Sequence, residues 1–157
     1  MTAIPPEPSA TEEPATPPSP DRPLGGGCLC GAIRFQVTRP FVTASYCHCT
    51  HCQRRTGTAS SANGRVERAG FELLSGRDLL RSYRPGVGLP KLFCGVCGSA
   101  LFSGDPESDA EVRIRLGALD GDPGVRPQYR QFVRSAVSWE PLPDDGLPRH
   151  SASAELR

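Results

Sequence analysis

The sequence predicts a mainly β fold of short strands with at most one short helix, and three observations predict it. Apolar and polar residues alternate with a period of two: Ile33, Phe35 and Val37 against Arg34, Gln36 and Thr38, then Val112, Ile114 and Leu116 against Glu111, Arg113 and Arg115. Gly and Pro, 17 of each in 157 residues, cut the chain into short runs. Seven cysteines fall in three tight clusters, and a loop-rich chain with 6% aromatics has a small core that needs such a staple.

Residues 1–23 carry eight prolines among Ser, Thr, Ala and Glu, with almost no large apolar side chains. They read as a disordered N-terminal tail, because they cannot bury enough surface to offset the cost of ordering. The folded domain is expected over 24–140. Beyond the two alternating segments, shorter strand candidates are 42–46, 58–62, 79–84, 89–93, 100–102 and 131–137. The one plausible helical turn is 50–55. From Pro141 the chain turns Pro-rich and polar again, so 141–157 is expected as a flexible C-terminal tail that leaves His150 inert. Trp139 is expected to pack at the end of the domain. No internal repeat is visible. No stretch approaches 18 apolar residues, so no membrane span is expected. Net charge is +1, and the chain has one lysine, Lys91, and no basic stripe. That argues against a nucleic-acid binder.

The cysteines carry the chemistry. Cys28 and Cys30 form C-x-C, and two residues apart on an extended chain point the same way. Cys94 and Cys97 form C-x-x-C with a glycine after each cysteine, the signature of a zinc-knuckle turn. Together the two pairs predict a closed four-thiolate site, and closed sites are structural. The middle cluster, Cys47-His48-Cys49-Thr50-His51-Cys52, offers three thiols and two imidazoles. If the three thiols share one ion, its fourth position stays open, the pattern of catalytic zinc. His48 lies between two ligands and should point away. His51 is the rival that would close the site and make it structural too. A disulfide framework is the other reading. The odd cysteine count, the spacings, and the absence of a basic region followed by an apolar run at the N-terminus count against it. A reducing cytoplasm is the expected location. Arg54 and Arg55 read either as solvated basic surface or as compensation for an anionic zinc–thiolate site that also clamps a substrate carboxylate.

These residues resemble the GFA family, named for the glutathione-dependent formaldehyde-activating enzyme and including the centromere protein V-like proteins. The matching segments are Gly27-Cys28-Leu29-Cys30-Gly31-Ala32-Ile33-Arg34-Phe35, Cys47 to Cys52 leading to Thr56-Gly57, and Phe93-Cys94-Gly95-Val96-Cys97-Gly98-Ser99, with a weaker match at Gly117-Ala118-Leu119-Asp120. The resemblance implies an Mss4-like zinc-bound β fold with two Zn²⁺ per chain. The structural ion would sit on Cys28, Cys30, Cys94 and Cys97, and the catalytic ion on Cys47, Cys49 and Cys52. It also implies a small-molecule thiol partner, glutathione, and a carbon–sulfur lyase that reversibly joins it to formaldehyde as S-(hydroxymethyl)glutathione. Two positions depart from the family pattern. Gln53 stands where Arg is common, and Arg130 stands where a His is common. The alternative function is a non-enzymatic interaction module in which both zincs are scaffold. Oligomeric state is not legible from the sequence.

Overall fold

The computed structural model describes residues 15–154; most of the expected N-terminal tail, 1–14, lies outside the described residues. The chain forms β1 (Leu24–Gly27), β2 (Arg34–Val37), β3 (Thr43–Cys47), helix α1 (Thr50–Thr56), β4 (Ser61–Glu67), β5 (Phe71–Ser75), β6 (Leu80–Tyr83), β7 (Lys91–Cys94), β8 (Ala100–Ser103), β9 (Glu111–Arg115) and β10 (Arg130–Gln131). The fold is mainly β, as expected. β1, β2 and β5 make a three-stranded sheet, and the others a seven-stranded sheet in the order β10-β3-β4-β9-β8-β7-β6. Among the described residues no helix is long and apolar enough to cross a membrane.

One apolar core unites the two sheets. Phe35 from the small sheet meets Phe102 from the large one edge to face, with ring centroids 5.1 Å apart, and Phe71 meets Phe102 at 5.3 Å. Such pairs add about 0.5–1.5 kcal/mol each beyond the area they bury. Ile33, Val37, Val66, Leu101, Val112 and Ile114 complete the core and are fully buried. β1, which reads Leu-Gly-Gly-Gly and shows no alternation, was not expected as a strand. It forms because a side chain on Gly26 would collide with the Phe35 ring, so only glycine lets the strand lie this close to β2.

The large sheet has two unlike faces, because successive side chains point to opposite sides. Val66, Val112, Ile114 and Phe102 face the core. The strand register places Thr43, Arg65, Arg113, Ser103 and Lys91 in one row across the opposite face. A second row holds Ser45, Asn63 and Arg115, and a third holds Cys47 and Ser61. This polar face positions the site.

Several expectations shift. The segment expected at 58–62 pairs only from Ser61. Before that, Thr58 Oγ1 donates to the Ser60 carbonyl at 2.6 Å, and such local bonds compete with the ladder. The strand expected at 131–137 stops at Gln131, because Phe132 takes a left-handed conformation (φ 57°) and a 3₁₀ turn follows. Trp139 is exposed rather than packed. The segment after Pro141, expected to trail outside the domain, runs beside β10. The Arg130 amide donates to the Pro148 carbonyl, the His150 amide to the Arg130 carbonyl, and the Phe132 amide to the Ala152 carbonyl, all at 2.8–2.9 Å. Arg130 also pairs with Asp145 at 2.6 Å, and the His150 ring meets Tyr129 edge to face. β10 is an edge strand with unpaired backbone groups, and this segment satisfies them. Within the expected N-terminal tail, Pro18 is buried and Ser19 pairs with Arg22.

Candidate metal centres and cavity

The turn between β1 and β2 carries Cys28 and Cys30, Cys94 ends β7, and the β7–β8 turn carries Cys97. Gly31 and Gly98, each at φ 77°, let the two turns fold back beside their cysteines. The four Sγ atoms lie within 4.8 Å of one another. Ligands about 2.3 Å from a tetrahedral zinc ion stand about 3.8 Å apart. The Cys28–Cys30 and Cys30–Cys94 sulfurs are 3.5 and 3.9 Å apart, so the set fits the ion. Amides donate to the sulfurs: Ile33 N–H to Cys28 at 3.2 Å and Val96 N–H to Cys94 at 3.4 Å. Burial pushes the Cys97 thiol up, but the Ser99 hydroxyl and amide outweigh it and bring it down to about 6.

The second group is assembled within six residues. Cys47 ends β3, Cys49 is the N-cap of α1, its sulfur accepting the Cys52 amide at 3.4 Å, and Cys52 is buried in the first turn of the helix. Their sulfurs also lie within 4.8 Å of one another. Among the described residues no fourth His, Cys, Asp or Glu ligand atom joins them. His48 is buried and turned away, its Nε2 3.4 Å from Arg130. His51 is exposed at the cavity wall. Both thiol groups can therefore hold a metal, and their donors suit zinc.

The three-thiol group opens on a cavity of about 590 Å³. Its floor is the polar face of the large sheet, and 3₁₀ residues Arg134 and Ser135, with Tyr129 and Phe132, wall it. Lys91, Arg65, Arg113, Arg115 and Arg134 line it, and among the described residues no Asp or Glu does. Arg115 is 7% exposed. Its NH1 lies 4.0 Å from Cys52 Sγ and 2.9 Å from Ser61 Oγ, with Asn63 Oδ1 as a further acceptor, and its NH2 reaches Ser103 Oγ at 3.3 Å. Hydrogen bonds from the Cys47 and Cys49 thiols hold the Cys52 thiol far below its ordinary value against the upward push of burial, and Ser61 and the Arg115 charge reinforce them. Cys47, as donor to Cys49 and Cys52, is pushed up.

The arginines singled out from the sequence behave differently. Arg54 is exposed and does not line the cavity. Arg55 turns inward, donating to Ser103 Oγ at 3.1 Å and to the Leu92 carbonyl, and burial lowers its pKa to about 10. Its donors are engaged by neutral groups of the protein, so it acts on the site from behind. Among the cations the sequence did not single out, β9 supplies Arg113 and Arg115. Their signal was the alternation of β9, where two arginines hold the polar positions of a half-buried strand; the neighbours that cover that face are distant in sequence. The two departures from the family pattern are structural here. Gln53 Nε2 donates to the carbonyls of His48 and Ser135, at 2.6 and 2.7 Å, pinning α1 to the wall. Arg130 stacks on Tyr46, 4.4 Å from the ring centroid, and pairs with Asp145.

Comparison with known proteins agrees with this layout. A Halomonas elongata protein, provisionally named a glutathione-dependent formaldehyde-activating enzyme, is 30% identical over 105 residues, 63% of this chain and 67% of that protein. A crystal structure of a Rhodobacter sphaeroides protein shares the fold with a TM-score of 0.52 at 22% identity, covering 80% of this chain and 98% of the other. The family profile described as glutathione-dependent formaldehyde-activating enzyme matches residues 23–135, and the chain belongs to that family.

Proposed function

We propose that the chain is a zinc-dependent carbon–sulfur lyase acting on the adduct of a small thiol, such as glutathione, with an aldehyde. S-(hydroxymethyl)glutathione is the reference case. The observation that carries the reading is the contrast between the two thiol groups. Four sulfurs form a closed set outside the cavity, and three form an open set at its wall. Cys28, Cys30, Cys94 and Cys97 would hold a structural zinc, and Cys47, Cys49 and Cys52 a catalytic one. That second ion would supply acidification of an incoming thiol, since a coordinating thiol is deprotonated.

The chain's own residues set the stage for the addition. Arg115, locked by Ser61, Asn63 and Ser103, places a fixed positive charge beside Cys52, where negative charge gathers. Fixed charges in a partly dry site act more strongly than in water. The cationic lining draws an anionic thiol into the cavity. The substrate sulfur adds to the carbonyl carbon. A carbon–sulfur bond forms, the C=O π pair moves to oxygen, and the oxygen takes a proton; cleavage is the reverse. With no carboxylate among the described residues lining the cavity, protons pass through water, thiol or Lys91.

The test is NMR exchange between glutathione and formaldehyde with the metal-loaded protein, beside Cys49→Ser. Exchange above background that Cys49→Ser abolishes supports the lyase. Exchange at the uncatalysed rate, with both ions retained, rejects it in favour of the interaction module.

A further inference from the structure

The charges on the cavity floor do not balance among the described residues. Arg65 is neutralised by Glu111, with two bonds of 2.9 Å. Arg115 faces Cys52. Lys91 and Arg113 remain; Asp109 lies near Arg113 beside Gly104, but among the described residues neither cation has a carboxylate within ion-pair distance. They flank Ser103 in one row, on β7 and β9 either side of β8. Neighbouring strands stand about 4.8 Å apart, so both side chains can reach a group lying over Ser103. Ser103 is 7% exposed, and its oxygen accepts from both Arg55 and Arg115. Both lone pairs are therefore taken, and its hydroxyl hydrogen has no acceptor among the described residues. A buried donor without an acceptor between two unpaired cations calls for an anion.

We propose that Ser103, Lys91 and Arg113 form a carboxylate subsite, and that the carbonyl partner in the reaction is an aldehyde bearing a carboxylate at the carbonyl carbon, of the 2-oxo acid class. This rests on the thiol-adduct reading. Position selects the carbonyl partner over the thiol as the source. Arg115 spans the gap, with one terminal nitrogen near Cys52 Sγ and the other at Ser103 Oγ, so the subsite is one guanidinium from the three-thiol group at which the substrate sulfur would be held. The carboxylates of glutathione are many bonds from its sulfur, whereas a carboxylate on the carbonyl carbon is one bond from the reacting centre. Burial lowers the Lys91 pKa, so a bound anion also relieves the cost of its charge. The step is redox-neutral: sulfur adds to the aldehyde carbon, the carbonyl oxygen takes a proton, and the carboxylate is unchanged.

Two measurements on the metal-loaded full chain test this. The first is calorimetric titration with glycolate, an unreactive carboxylate of the right size. Binding should weaken tenfold or more in Arg113→Gln and in Lys91→Met, with melting temperatures checked alongside. The second is NMR exchange of glutathione with glyoxylate and with formaldehyde. The glyoxylate-to-formaldehyde rate ratio, each corrected for background, should be tenfold or more, and should fall about tenfold in Arg113→Gln. Absence of glycolate binding, or binding that neither variant weakens, overturns the subsite. Equal or faster exchange with formaldehyde overturns the substrate class and leaves the thiol-adduct reading standing. Glycolate binding lost in the variants, with neither aldehyde exchanged, upholds the subsite and rejects the lyase.

Discussion

Cys97→Ser and Cys49→Ser remove one thiol each, yet should differ in their effect on stability. The four-thiol group joins Cys30 to Cys94, 64 residues apart, and so ties the small sheet to the large one. Treating the ion as a cross-link, closing a loop of that length removes about 4 kcal/mol of chain entropy from the unfolded state. The three-thiol group closes a loop inside 47–52, for which the same relation gives about 2 kcal/mol. Helix capping does not blur the comparison. Cys49 is the N-cap of α1, and serine is among the best N-cap residues, so Cys49→Ser keeps the cap while losing the metal ligand. The difference of about 2 kcal/mol corresponds to roughly 4–8 °C for a domain of this size. Thermal melts followed by circular dichroism on zinc-loaded protein should place Cys97→Ser lower by at least that interval. The direct contribution of zinc binding to folding, of order 10 kcal/mol in small zinc domains, widens the gap if the ion is lost entirely. A melting temperature for Cys49→Ser equal to or below that of Cys97→Ser would refute the assignment of roles.

Other perturbations probe the scaffold. Gln53→Ala loses two half-buried hydrogen bonds to carbonyls and should cost about 1–3 kcal/mol by urea denaturation, with zinc content unchanged. Deleting 141–157 strips the backbone partners from β10 and leaves Arg130 without Asp145; the melting temperature should fall by several degrees, whereas an unchanged value would mean the segment contributes nothing. Phe102→Ala empties the centre of the aromatic cluster and should cost about 3–5 kcal/mol in the same denaturation assay.

The cysteine spacing made both thiol groups legible in advance, because C-x-C and C-x-x-C are local geometry. The strands with clean alternation, β2 and β9, were legible for the same reason. What escaped depends on partners distant in sequence. β1 exists because Phe35 needs a neighbour without a side chain, and β5 blurs its own period by placing Leu73 and Leu74 side by side. The residues after Pro141 carry the composition of a loose tail and still attach, since attachment is decided by the unpaired edge of β10. At the site, the sequence singles out Arg54 and Arg55, the cations nearest the thiols along the chain. The cations on the cavity floor come from β4, β7 and β9, because the order β3-β4-β9-β8-β7 lays those strands across one polar face with the end of β3.

One zinc ion should have four sulfur ligands from the protein and the other three, with room for a thiol. X-ray absorption at the zinc edge of protein carrying two zinc ions tests it most directly. Seven cysteines over two ions give a mean of about 3.5 sulfurs and 0.5 oxygen or nitrogen per zinc, and added glutathione should raise the sulfur number to about 4. A light-atom shell assigned to the His51 imidazole and unmoved by glutathione would contradict the account.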